Sequence, residues 1–130
     1  MSTSLAQIPA RELPDNDPAR AAILASAVAP AEKELGQSIT LQTKQLRVLG
    51  EWAFVHAAMH GTGGKAVSYS GTRYQEAAEH GHKSDKYAAL LKRSDHGWHI
   101  EAYAIGPTDV AWQDWPQTYG APQALFDSGN

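Results

Sequence analysis

The chain has 130 residues and a formal net charge of −3 at pH 7, a length that suits one domain with a core of its own. Its 42% hydrophobic and 19% charged residues exclude a disordered charged segment as the whole chain, and 11 Lys/Arg against 14 Asp/Glu without a basic run give nucleic acid no electrostatic footprint. No stretch reaches the roughly 18 apolar residues of a membrane span, and the absence of Cys excludes disulfides, zinc–thiolate sites, iron–sulfur clusters and Cys nucleophiles.

Residues 1–17 mix Pro, Asp and small polar residues without periodicity and read as a flexible N-terminal tail before a single domain over 18–130. This tail lacks the apolar core of a signal peptide. Ser4-Leu5-Ala6 before Gln7 nevertheless has the small-x-small form of a cleavage site. The triplet points to a periplasmic or secreted protein; if it is a chance match, the chain is cytoplasmic.

Asp17-Pro18 reads as a helix start, with Asp as N-cap and Pro at the first helical position. Ile23, Leu24, Ala27, Val28, Ala31 and Leu35 keep a helical period as far as Gly36, a C-terminal stop. Pro30 inside this span predicts a kink, or two helices meeting. Leu41–Leu49 and Glu51–His60 then read as strands joined at Gly50. Ala53, Val55, Ala57 and Met59 take one face of the second strand; Trp52, Phe54, His56, Ala58 and His60 take the other.

Residues 61–85 form a long polar connection, of a length usually functional or mobile, with a short helix predicted over Tyr74–His80. Lys86–Arg93 and Trp98–Ile105 make a second hairpin around Ser94-Asp95-His96-Gly97. In its second strand Trp98, Ile100, Ala102 and Ala104 oppose His99, Glu101, Tyr103 and Ile105. The tail beyond is aromatic but aperiodic. Trp112, Trp115, Tyr119 and Phe126 exposed together would form an apolar patch that soluble monomers rarely tolerate. Residues 106–126 are therefore expected to be ordered, with Trp112 and Trp115 buried against the sheet or across a homodimer interface.

These elements predict an α+β fold: an N-terminal helix packed on a curved four-stranded antiparallel sheet made of two hairpins, with an irregular aromatic tail. Ile23, Leu24, Val28 and Leu35 should meet the sheet face bearing Val55, Leu91, Trp98 and Ile100. The run Leu46–Val55, with Gly50-Glu51-Trp52-Ala53, and the run Ala89–Ile100, with Asp95-His96-Gly97-Trp98-His99-Ile100, resemble the sheet of cystatin-like and NTF2-like domains. Gly106–Trp112 with Tyr119-Gly120-Ala121-Pro122 also resembles small exported bacterial proteins of unknown function. One helical region before the sheet, instead of three, favours the shallower cystatin-like form. The resemblance implies a fold and leaves function open, because one scaffold carries enzymes, binders and inhibitors alike.

Arg47, Trp52, His56, His99, Glu101 and Tyr103 are the candidate site residues. With the hairpins side by side they share the sheet face away from Trp98 and Ile100. A His–carboxylate pair there would suit acid–base work, which makes His56, His99, Glu101 and Tyr103 the catalytic candidates. The alternative is a half-solvated face whose polar residues alternate outward. Metal ligation is considered at His80-x-His82, with Glu79 and Asp85 nearby, and at His96-x-x-His99. Neither pair has a well-spaced third ligand, so no metal and no cofactor are expected. Gly61-Thr62-Gly63-Gly64-Lys65 fails the phosphate-loop spacing. The sequence thus favours a non-catalytic binding domain, of inhibitor or immunity type, whose partner is another protein or a small ligand. The second reading is a small enzyme with a His/Glu pair in a curved-sheet pocket.

Overall fold

Asp17 and Pro18 open the first helix, α1, which spans Pro18–Leu35. The Asp17 carboxylate accepts the Ala19 N–H at 2.9 Å and satisfies one donor that a helix start leaves unpaired. Gly36 ends the helix at φ 64°, a left-handed cap whose N–H donates to the Glu32 carbonyl at 2.9 Å. In the computed structural model, which describes residues 11–14, 16–95, 97–108 and 110–126, α1 runs through Pro30 as one element. Two helices do not meet there. Pro30 has no N–H to give the Ser26 carbonyl, and both residues are partly exposed, away from the core stripe.

Five strands form one open sheet in the order β1-β2-β3-β4-β5, antiparallel throughout. They are β1 (Arg11–Glu12), β2 (Thr40–Leu49), β3 (Trp52–His60), β4 (Lys86–Ser94) and β5 (Gly97–Ile105). The four long strands are the two predicted hairpins. Leu49 pairs with Trp52 across Gly50-Glu51, and Gly50 at φ 61° supplies the positive angle that the first central position of such a loop favours. The other turn holds His96, which lies outside the described residues.

The two-residue strand β1 adds to the predicted elements. Arg11 and Glu12 pair with Val48 and Arg47, and the Glu12 carboxylate accepts the Leu46 N–H at 2.7 Å. Leu13 is buried against the helix-side core. The last residues of the expected tail are therefore part of the sheet edge, while residues 1–10 and 15 lie outside the described residues. A strand of two residues is too short to show a period in sequence.

Each sheet face buries its own core. On one, Ile23, Ala27, Ala31 and Leu35 of α1 pack with Ala53, Val55, Ala57, Met59, Tyr87, Ala89 and Leu91, and Leu24, Val28, Trp98 and Ile100 flank them. The Tyr87 hydroxyl reaches across this core to donate to the Ala27 carbonyl at 2.7 Å, so its buried polar end is satisfied. On the other face, Phe54, Ala88, Leu90 and Ala102 pack under Trp115, Ala121 and Leu125. The described residues of the tail, with a short helix α3 at Trp115–Tyr119, pack against the sheet. Phe54 meets the rings of Trp112 at 5.5 Å and Phe126 at 4.9 Å. Trp115 is buried and Trp112 is half-buried, while Tyr119 stays outside this core. The face expected to be half-solvated is thus largely roofed.

The expected alternation fails in β5. Leu90 pairs with Ala102 but Leu91 pairs with Ile100, so Glu101 is an extra residue, a β-bulge. The bulge reverses the facing of the residues beyond it. Trp98, Ile100 and Ile105 pack in the helix-side core, and Tyr103 reaches a residue of α1, whereas Ala102 and Ala104 join the tail-side core.

The connection 61–85 is strapped down along its length. The Gln37 side chain bonds both backbone groups of Ser68, the Tyr69 hydroxyl donates to the Ser84 carbonyl, and Lys83 donates to the Ile105 carbonyl at 2.8 Å. Its helix, α2, is limited to Gln75–Glu79.

Candidate functional site

The bulge separates the residues that the sequence grouped together. His56, His99, Arg47 and Trp52 belong to the tail side, and Tyr103 to the helix side. His99 lies in the cross-strand row of Trp52 and Lys92, four β3 positions from His56, so about 13 Å of strand separates the two rings' rows. His99 bonds the Ser94 hydroxyl at 2.7 Å, and Glu101 is exposed on the bulge. The expected His–carboxylate pair is not assembled. Trp52 carries the Lys92 ammonium 5.0 Å from its ring centroid, a cation–π contact at the sheet margin.

Arg47 is 7% exposed, and its Nη1 has no hydrogen-bond partner among the described residues. A buried guanidinium nitrogen without a partner opposes folding, and an apolar residue of similar shape avoids that cost. Arg47→Met is therefore expected to hold or raise the melting temperature. A fall of more than about 4 °C, roughly 1 kcal/mol for a domain of this size, would show the guanidinium to be stabilising.

Two of the open grooves among the described residues hold candidate site residues. The tail-side groove, about 410 Å³, is lined by His56, Ser84, Lys86, Pro107, Thr108, Val110 and Trp112. The His56 ring lies 4.8 Å from that of Trp112. Partial burial, and then the charges of Lys44 and Lys86, push the His56 pKa below its ordinary value, so the ring is neutral at pH 7. Lys86 is paired with Asp85 at 2.6 Å, and the Ser84 hydroxyl donates to the Pro107 carbonyl while accepting the Lys86 N–H. Among the described residues no carboxylate bonds His56.

The second groove, about 450 Å³, runs between α1 and β5. Ser26, Ala29, Pro30, Lys33 and Glu34 form its helix wall, and Ile100 and Tyr103 its strand wall. Glu34 is the polar centre. Its carboxylate accepts hydrogen bonds from the Tyr103 and Tyr74 hydroxyls and from Arg73, whose Nη2 lies 2.6 Å away. Three elements, α1, β5 and the 61–85 strap, thus meet on one carboxylate. Glu34 is not among the candidate residues that the sequence singles out. Its partners lie 39–69 residues away, and no local pattern signals them.

Partial burial works to raise the Glu34 pKa, but the hydrogen bonds from Tyr103, Tyr74 and Arg73 outweigh it and hold the carboxyl below its ordinary value. A carboxyl with a lower pKa in the folded chain adds stability above the ordinary glutamate range and loses it as pH falls through the folded value. Glu34→Gln is expected to flatten the acid limb of the melting temperature between about pH 5 and pH 3. Circular dichroism melts across that range check this. An unchanged acid limb would assign the acid sensitivity to other carboxyls.

The His80 and His82 rings lie 6.2 Å apart, centroid to centroid, and are tilted by 35°, and the described residues hold no group of three or more His, Asp or Glu placed for a metal ion. None of the described helices is long and apolar enough to cross a membrane. No protein-family model, curated protein or solved structure matches the chain.

Proposed function

We propose that the protein is a non-catalytic binding domain of cystatin-like form, acting by occupying another protein or a small ligand, as an inhibitor or immunity-type protein does. The observation that carries this reading is the dispersal of every candidate acid–base group. His56 lacks a carboxylate among the described residues, His99 is bound to Ser94, Glu101 projects from the bulge, and Tyr103 is committed to Glu34. General acid–base catalysis needs such groups within hydrogen-bond reach of one another or of one substrate atom. Among the described residues, the single helix ahead of β2 and the open shape of the grooves support the shallow cystatin-like form over a deep enclosed pocket. The periplasmic or secreted placement rests on Ser4-Leu5-Ala6, which lies outside the described residues.

One observation favours the enzymatic alternative: a neutral, half-buried His56 in a groove is suited to act as a base. A panel of ester, phosphoester, amide and glycoside substrates at pH 7 separates the two readings. The expected result is no turnover above that of His56→Ala. A rate enhancement lost in His56→Ala would replace the binding reading with the enzymatic one.

A further inference from the structure

We propose that β5 receives an extended segment of a partner protein as a sixth strand, with one apolar side chain of that segment seated in the groove between β5 and α1. This deepens the binding reading above and rests on it. Among the described residues β5 is the last strand of the sheet and pairs only with β4, so one row of its backbone N–H and C=O groups has no strand partner, and of these the Ile105 carbonyl is taken by the Lys83 ammonium at 2.8 Å. Exposed edges of this kind invite another chain, and proteins usually blunt them with Lys, Pro or very short strands. β5 spans nine residues, GWHIEAYAI, with no Lys or Pro and one carboxylate, Glu101.

The groove runs directly beside that edge. Its strand wall exists because of the bulge: Ile100 and Tyr103, three residues apart, both face α1, which regular alternation would forbid. Ala29 and Pro30 supply an apolar wall opposite. A helix beside an exposed sheet edge is one arrangement that captures extended peptides, with main-chain bonds giving affinity and alternate side chains giving specificity. A compact ligand would fill the groove and leave the β5 amides unpaired; only an extended polypeptide satisfies both.

The charges define the segment further. The charge of Glu34 is balanced by the Arg73 guanidinium, and its lone pairs are taken up further by the Tyr74 and Tyr103 hydroxyls. Lys33 at the rim is exposed and has no ion pair among the described residues. The segment that fits is therefore extended, with an apolar residue facing Ala29 and Pro30 and an Asp or Glu within reach of Lys33.

The probe is a phage-displayed library of random dodecapeptides panned on the full chain. Enriched peptides are expected to alternate apolar and polar residues, to carry an acidic residue, and to contain no Pro at the pairing positions. Synthetic copies should protect β5 amides from hydrogen exchange. Their affinity should fall about tenfold or more in Ala29→Trp, which fills the groove, and in Lys33→Glu, both at exposed positions that leave the core intact. Peptides that instead perturb the amides of His56 and Trp112, or that bind equally well to both variants, would overturn the strand-addition site and leave the binding reading standing. No enrichment would overturn it as well. No enrichment together with His56-dependent turnover would overturn both.

Discussion

Deletion of residues 107–130 is expected to leave a chain that aggregates or no longer melts cooperatively. Among the described residues, the tail covers the core of one sheet face. Trp115, Ala121 and Leu125 are buried there on Phe54, Ala88, Leu90 and Ala102. Burying a large apolar side chain is worth roughly 1.5–3 kcal/mol, so re-exposing Phe54 and losing Trp115 and Leu125 costs about 5–9 kcal/mol. That is of the order of a whole domain's stability, about 5–15 kcal/mol. The ordering entropy recovered by an aperiodic segment offsets part of the loss, and Pro107, Pro116 and Pro122 make that part smaller. Thermal melts and light scattering of the truncated chain test this. A soluble monomer with the full-length melting temperature would show that the tail is a free arm.

The second large effect is on the helix side. Ile23→Ala is expected to cost roughly 2–5 kcal/mol, because Ile23 is fully buried between α1 and the sheet and the rigid strands cannot collapse into the space. Leu24→Ala, at a neighbouring position that is only partly buried, is expected to cost clearly less. Urea denaturation of the two variants should show unequal midpoints with an unchanged slope. Equal losses would mean that α1 is rotated by a large part of a turn from the orientation described.

The rank of these two residues shows what sequence can and cannot resolve. Periodicity places Ile23 and Leu24 on one helical face, since both satisfy a 3.6-residue repeat, but the centre of that face depends on the sheet it meets. The caps at Asp17 and Gly36, the Gly50 turn and the alternation of β3 and β4 are legible because each depends on neighbours a few residues away. The bulge at Glu101 is not. One extra residue leaves hydrophobicity alternating in the sequence while reversing it in space, and that alone separates Tyr103 from His56. The candidate site suffers most, because a site is made of long-range meetings: Glu34 with Tyr103, and His56 with Trp112. His56 lines a groove, but its neighbours there come from a segment with no period to read.

The roof over Phe54 also sets a timetable for biosynthesis. Strands β2 to β5 and α1 are all complete once residue 105 has been made, yet the aromatic cover ends at Phe126. At about 5–20 residues per second, the ribosome needs roughly 1–4 s to add that last stretch. A chain whose strands have paired before residues 112–126 are in place presents Phe54 and Leu90 on an uncovered sheet. Chains released at residue 106 should therefore bind a holdase chaperone more strongly than chains that reach residue 126, and the segment 106–126 converts a chaperone client into a covered sheet.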